Sequence, residues 1–107
     1  MDVELLVVSD CPHQDAALRL LRTGLTDVGL SDTAVRTTVI TSQAEAERRG
    51  FTGSPTFLLD GVDPFAARGQ PAGLSCRVYR GVDGTAGVPA LTEVRQALKR
   101  AADAAAT

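Results

Sequence analysis

The sequence predicts an α/β domain of order β-α-β-α-β-β-α, a mixed four-stranded sheet with helices on both faces, and three observations carry that expectation. Short runs rich in Val, Leu and Thr alternate with stretches of helical spacing. The first two runs flank a helix, which implies a parallel, right-handed crossover. A later Asp60-Gly61 pair between extended runs implies an antiparallel hairpin. The 107 residues give one domain, 1–107, large enough to bury roughly two-thirds of its unfolded surface without a metal or disulfide staple.

Val3 to Ser9, bounded by Asp10, reads as a buried strand. Leu18, Leu21, Leu25 and Val28 then fall three or four apart, Ala17 and Leu20 widen the stripe, and Gly29 stops the helix. Pro12 suits its first turn, with Asp10 or Cys11 as N-cap. Val35 to Ile40 is β-branched enough for a second strand. Ser42-Gln43-Ala44-Glu45 is a capping box opening a short helix that ends near Gly50. Gly53-Ser54-Pro55 is a turn and Thr56 to Leu59 the third strand. Residues 62–73 form a loop longer than a hairpin needs, and Leu74 to Arg80 is the fourth strand. Gly81 to Pro89 is turn-rich, and Leu91, Val94, Leu98, Ala101 and Ala105 mark the final helix.

Charge and composition exclude several roles. Apolar residues make up 44% and charged residues 22%, as in an ordinary globular chain. The net charge of −2 argues against nucleic-acid or membrane-surface partners, and Arg48-Arg49 and Lys99-Arg100 read as solvated helix faces. No segment approaches the roughly 20 apolar residues that cross a bilayer. Met1-Asp2-Val3-Glu4 is acidic where a secretory signal is basic, so the expected location is cytoplasmic, where thiols stay reduced.

Chemistry concentrates at Cys11, between the first strand and the first helix. The unpaired N–H groups of a helix N-terminus favour thiolate over thiol, and a protonated imidazole at His13 adds to that effect. The thiolate is the nucleophile. The structural alternative is a small buried Cys11 and a surface His13.

With Cys11-Pro12-His13-Gln14 after the first strand and Gly53-Ser54-Pro55-Thr56 before the third, the chain resembles the thioredoxin-like superfamily over nearly its whole length, in particular small actinobacterial thioredoxin-family proteins. The resemblance implies a thioredoxin-like fold and a cis Pro55 facing the reactive thiol. It also implies that Pro12, Ser54, Pro55 and Thr56 bind substrate, the Ser54 and Thr56 main chain aligning an extended thiol substrate. Gln14 stands where the family's Cys-x-x-Cys motif has its second cysteine, so the motif is monothiol. The expected function is thiol–disulfide exchange on Cys11 with His13 assisting. Its partners are a thiol or disulfide substrate and either Cys76 or a low-molecular-weight thiol that resolves the mixed disulfide.

Cys76 admits two placements. A plain hairpin puts it at the far end of the sheet, whereas the 62–73 loop folding back would bring it to Cys11; a bridge closing about 65 residues would add roughly 4 kcal/mol in the chain-entropy model. Gly73 to Tyr79 also resembles a segment of those actinobacterial proteins, some labelled alkylmercury lyases, a chemistry that needs paired thiols and an acid such as Asp10 or Asp15. A non-catalytic binding module and a thiol-based metal or organomercury binder are the alternatives. No cofactor motif is present, and no metal site is expected: Cys11 and His13 point to different helix faces, and spacing marks no fourth ligand beside Cys76. A lone histidine and no nucleophile-elbow glycines leave serine hydrolase chemistry unsupported.

Overall fold

A computed structural model describes residues 1–67, 69–81 and 84–106. β1 (Val3–Val7) is the central strand, pairing parallel with β2 (Val35–Val39) and antiparallel with β3 (Thr56–Leu59). Every β1 residue is buried because helices cover both sides of it. Val3, Leu5 and Val7 join Phe57 and Leu59 on the side packed by α1 (Gln14–Asp27) and α3 (Leu91–Ala106). From α1 come Ala17, Leu21 and Leu25, and from α3 Val94, Ala97 and Leu98, which is the periodic stripe expected from the sequence. Leu6, one residue out of phase, meets Leu58, Ile40, Phe51 and Ala46 of α2 (Gln43–Arg49) on the opposite side.

The α2 side also holds a buried carboxylate. Glu4 is 5% exposed, accepts from Thr38 Oγ1 at 2.7 Å and pairs with Arg49 Nη2 at 2.5 Å. Burial pushes its acidity down, but the Thr38 hydrogen bond and the Arg49 and Arg36 guanidinium groups outweigh burial and hold the carboxyl below its ordinary range. Ser42 caps α2, its Oγ accepting from Glu45 N–H at 3.1 Å, and Gly50 closes the helix in the left-handed region.

Three features differ from the sequence expectation. The mixed sheet has three strands, not four. Asp60-Gly61 makes a hairpin of one bridging pair, Leu59 with Val62, after which the chain runs back toward the start of β3. There residues 73–76 lie parallel to 51–54, bonded at Gly73 N–H to Phe51 O (3.1 Å) and bridged at Ser54–Cys76. Residues 73–76 thus run parallel to the segment that leads into β3, and among the described residues no antiparallel fourth strand pairs with β3. Instead β4 (Tyr79–Gly81), at the end of the stretch expected to be the fourth strand, pairs with β5 (Gly84–Ala86), in the stretch expected to be turn, as a separate ribbon. Finally, α1 starts at Gln14 with His13 as N-cap, which makes no side-chain capping bond; Cys11 and Pro12 lie in a turn ahead of the helix. No helix among the described residues is long and apolar enough to cross a membrane.

Candidate functional site

The site lies where β1 ends and β3 begins. The chain leaves β1 through Val8, passes Asp10 in the left-handed region (φ 60°), and enters the Cys11–Gln14 turn, closed by Gln14 N–H to Cys11 O at 3.3 Å. Cys11 is 8% exposed and belongs to the apolar cluster of Leu21, Phe57 and Tyr79. Pro12 is exposed and His13 half-buried. The His13 ring lies against Gly87, so closely that a Cβ there would sit 2.4 Å from Nε2. A side chain at 87 would require the imidazole to swing aside from this position.

Across from this turn, Ser54, Pro55 and Thr56 are fully buried, and the Ser54–Pro55 peptide is cis. Ser54 joins the two sides: its Oγ accepts from Val8 N–H at 3.0 Å. Its main chain is engaged on the other flank. Ser54 N–H donates to Ser75 O at 2.8 Å, and Arg77 N–H donates to Ser54 O at 3.0 Å. The two bonds bracket Cys76, which therefore stands directly beside Ser54. The chain folds back after Val62 and carries Cys76 to the edge of Ser54. The Ser54 main-chain groups expected to align a substrate are occupied by the chain's own residues, and Thr56 Oγ1 turns inward to donate to Gly53 O at 2.6 Å.

Residues 72–79 form a strap whose hold comes from side chains that sequence reasoning passed over. Arg77 is 3% exposed. Its guanidinium donates to Asp63 Oδ2 at 2.7 Å and Phe65 O at 2.6 Å, and lies 4.7 Å from the centre of the Tyr79 ring. The Tyr79 hydroxyl donates to Pro55 O. Burial pushes the Tyr79 phenol well above its ordinary range; nearby Arg77 opposes that and Asp63 adds to it, so the hydroxyl remains a donor at any ordinary pH. Phe57, Phe65 and Tyr79 meet edge to face, with ring centres 5.6–5.9 Å apart. At Gly53 (φ 136°) a Cβ would lie 2.9 Å from Arg77 Cβ, so only glycine lets the strap approach this closely. Gln43 Nε2 adds a bond to Ala72 O at 2.9 Å.

Exposure alternates along the strap: Arg77 and Tyr79 face in, Cys76 and Val78 face out. That period of two was the one available signal that Arg77 is buried, and a charged residue at an inward position masks it. Both cysteines are free thiols. Among the described residues no three His, Cys, Asp or Glu side chains gather as a metal site would require. The arrangement therefore offers a buried thiol, an imidazole beside it in sequence, and a second, exposed thiol held beside Ser54. No protein-family model matches the chain, and neither does any curated protein or solved structure.

Proposed function

We propose that the protein has a thioredoxin-like fold and performs thiol–disulfide exchange, with Cys11 as the attacking thiol and Cys76 as the resolving one. Cys11 thiolate attacks one sulfur of a disulfide RSSR, forming a Cys11–S–S–R mixed disulfide and releasing RS⁻, which takes up a proton. Cys76 thiolate then attacks Cys11 Sγ, forming a Cys11–Cys76 disulfide and releasing the second RS⁻. A low-molecular-weight thiol returns the pair to the reduced state, two such thiols becoming one disulfide. His13 assists by accepting the Cys11 proton. The reading places the protein in a reducing compartment, the cytoplasm, where both thiols start reduced.

The observation that carries this reading is the convergence on Ser54. Val8, three residues before Cys11, binds its hydroxyl, and the main-chain bonds around Cys76 bind its backbone. Cys76 is thereby held beside Ser54, and in this reading it takes the part that Gln14 cannot.

Mild oxidation with a small disulfide followed by mass mapping tests it. The expected product is a Cys11–Cys76 link in the wild type and a stable Cys11 adduct in Cys76→Ser. Disulfide reduction that persists in Cys11→Ser would overturn the role of Cys11, and two thiols still free after oxidation would overturn the exchange chemistry in favour of a non-catalytic binding module or a thiol-based metal or organomercury binder.

A further inference from the structure

The strap occupies both main-chain hydrogen-bonding groups of Ser54, and this bears on what can reach Cys11. An extended polypeptide docking beside a strand end needs free N–H and C=O partners, because peptide groups buried without partners are costly. Here Ser54 N–H is held by Ser75 O and Ser54 O by Arg77 N–H. Phe51 O is likewise held by Gly73 N–H, so the edge of the 51–54 segment is bonded at both ends. A tethered occupant competes at an effective concentration in the millimolar range, far above that of a free protein substrate. The strap is also anchored from behind, through the buried Arg77–Asp63 pair and the Tyr79 hydroxyl on Pro55 O.

We infer that the 72–79 strap is a built-in occupant of the position where an extended substrate would pair, and that it restricts Cys11 to small disulfides. Arg77, Tyr79 and Gly53 are then specificity-determining residues, although none of them touches the reacting sulfur. A small disulfide needs only an in-line approach to Cys11 Sγ and no main-chain pairing, so the strap leaves it free to react. A disulfide carried on an extended polypeptide must first displace Ser75–Arg77. The inference rests on the exchange chemistry proposed for Cys11 and adds the substrate class.

The experiment uses full-length Cys76→Ser protein, so that every adduct reports on Cys11. Adduct formation is timed by mass spectrometry with two probes: bis(2-hydroxyethyl) disulfide, and the disulfide dimer of an unstructured ten-residue peptide with one central cysteine. N-acetylcysteine, reacted with both, supplies the intrinsic ratio. The expected preference of Cys11 for the small probe is at least tenfold above that ratio. Adding Tyr79→Phe or Gly53→Ala, each of which loosens one attachment of the strap, should bring the preference at least threefold closer to the reference; Tyr79→Phe keeps the ring and provides the milder variant. A Cys11 ratio equal to the reference, or a preference unmoved in both variants, overturns the inference and leaves the exchange chemistry standing. Failure of Cys11 to react with either probe removes the exchange chemistry itself, a distinguishable result.

Discussion

The two segments that carry the thiols are held in opposite ways. The Cys11 turn is fixed from one side by apolar burial: its backbone closes through one long bond, the helix that follows has no side-chain cap, and the thiol sits against the main core. The strap bearing Cys76 is fixed by polar bonds along its length and by a buried guanidinium, while its thiol is exposed. Apolar packing is non-directional and tolerates small shifts, whereas a bonded strap has one register. The difference predicts that substitutions on the two sides will have different signatures.

The sharpest break should come at Arg77. Replacing it by Ala leaves the Asp63 carboxylate, whose side chain is 11% exposed, without its cation, and removes the bond to Phe65 O. Removal of one partner of a buried pair costs about 3–5 kcal/mol. Urea unfolding should show that loss, and amide exchange should show Ser54 and Arg77 N–H unprotected well before the β1 amides. Equal loss of protection in β1 would mean that the strap is not a separate unit.

Next in size is Gly53→Ala, at about 1–3 kcal/mol, since φ of 136° is strained for any side chain and the new methyl meets the Arg77 backbone. The loss should be read as a lowered urea midpoint, and a Gly53→Ala protein as stable as the wild type would mean that the strap does not press on residue 53. On the Cys11 side the corresponding substitution is Gly87→Ala, which drives a methyl into the His13 ring. Its cost should fall by about 1 kcal/mol or more when His13 is also Ala, a coupling measurable in a double-mutant cycle by thermal unfolding. Additive effects would place the imidazole elsewhere in solution.

These sites also mark the limit of what the sequence discloses. The strand and helix order through Leu59 is legible because apolar residues repeat at periods of two and 3.6, and Ser42 with Glu45 announces α2 by direct local bonding. The position of the candidate site is legible because Cys11-Pro12-His13 falls between two such periodic segments. The strap is not. Its position depends on pairing across some 22 residues, on a guanidinium buried at an inward position, and on glycines whose role is to leave room. None of these produces a periodicity, and Leu74 to Tyr79 carries the same alternation whether it pairs antiparallel with β3 or parallel with 51–54. The bias toward a hairpin set by Asp60-Gly61 was satisfied by a single bridging pair. The helix start moved for a similar reason: Pro12 is compatible with a first turn, but the left-handed Asp10 aims the chain so that helical geometry begins only at Gln14.

A smaller effect is expected from Tyr79→Phe, which removes the donor to Pro55 O and keeps the ring packing with Phe57 and Phe65. Loss of one hydrogen bond corresponds to about 1 kcal/mol, readable as a lowered urea midpoint at unchanged slope. A changed slope would show that the strap detaches in the native state rather than weakening in place.

The smallest effect on the site itself should come from acid acting on Glu4, which lies on the α2 side of β1 and touches neither thiol segment. Its folded-state acidity is held below the ordinary 4.5 of the unfolded chain, so its contribution to stability is fully present above about pH 4.5 and is lost as pH falls through the lower, folded value. Unfolding free energy measured from pH 6 down to pH 3 should therefore fall in the wild type, and less steeply in Glu4→Gln. Over the same range the relative rates of Cys11 with the small and peptide disulfides should stay fixed, because protonating Glu4 releases Arg49 and Thr38 without disturbing Ser54 or Arg77. A shift in that ratio that tracks Glu4 titration and vanishes in Glu4→Gln would mean that the α2 side and the strap move together, and the contrast between the two thiol-bearing segments would have to be redrawn around the whole sheet.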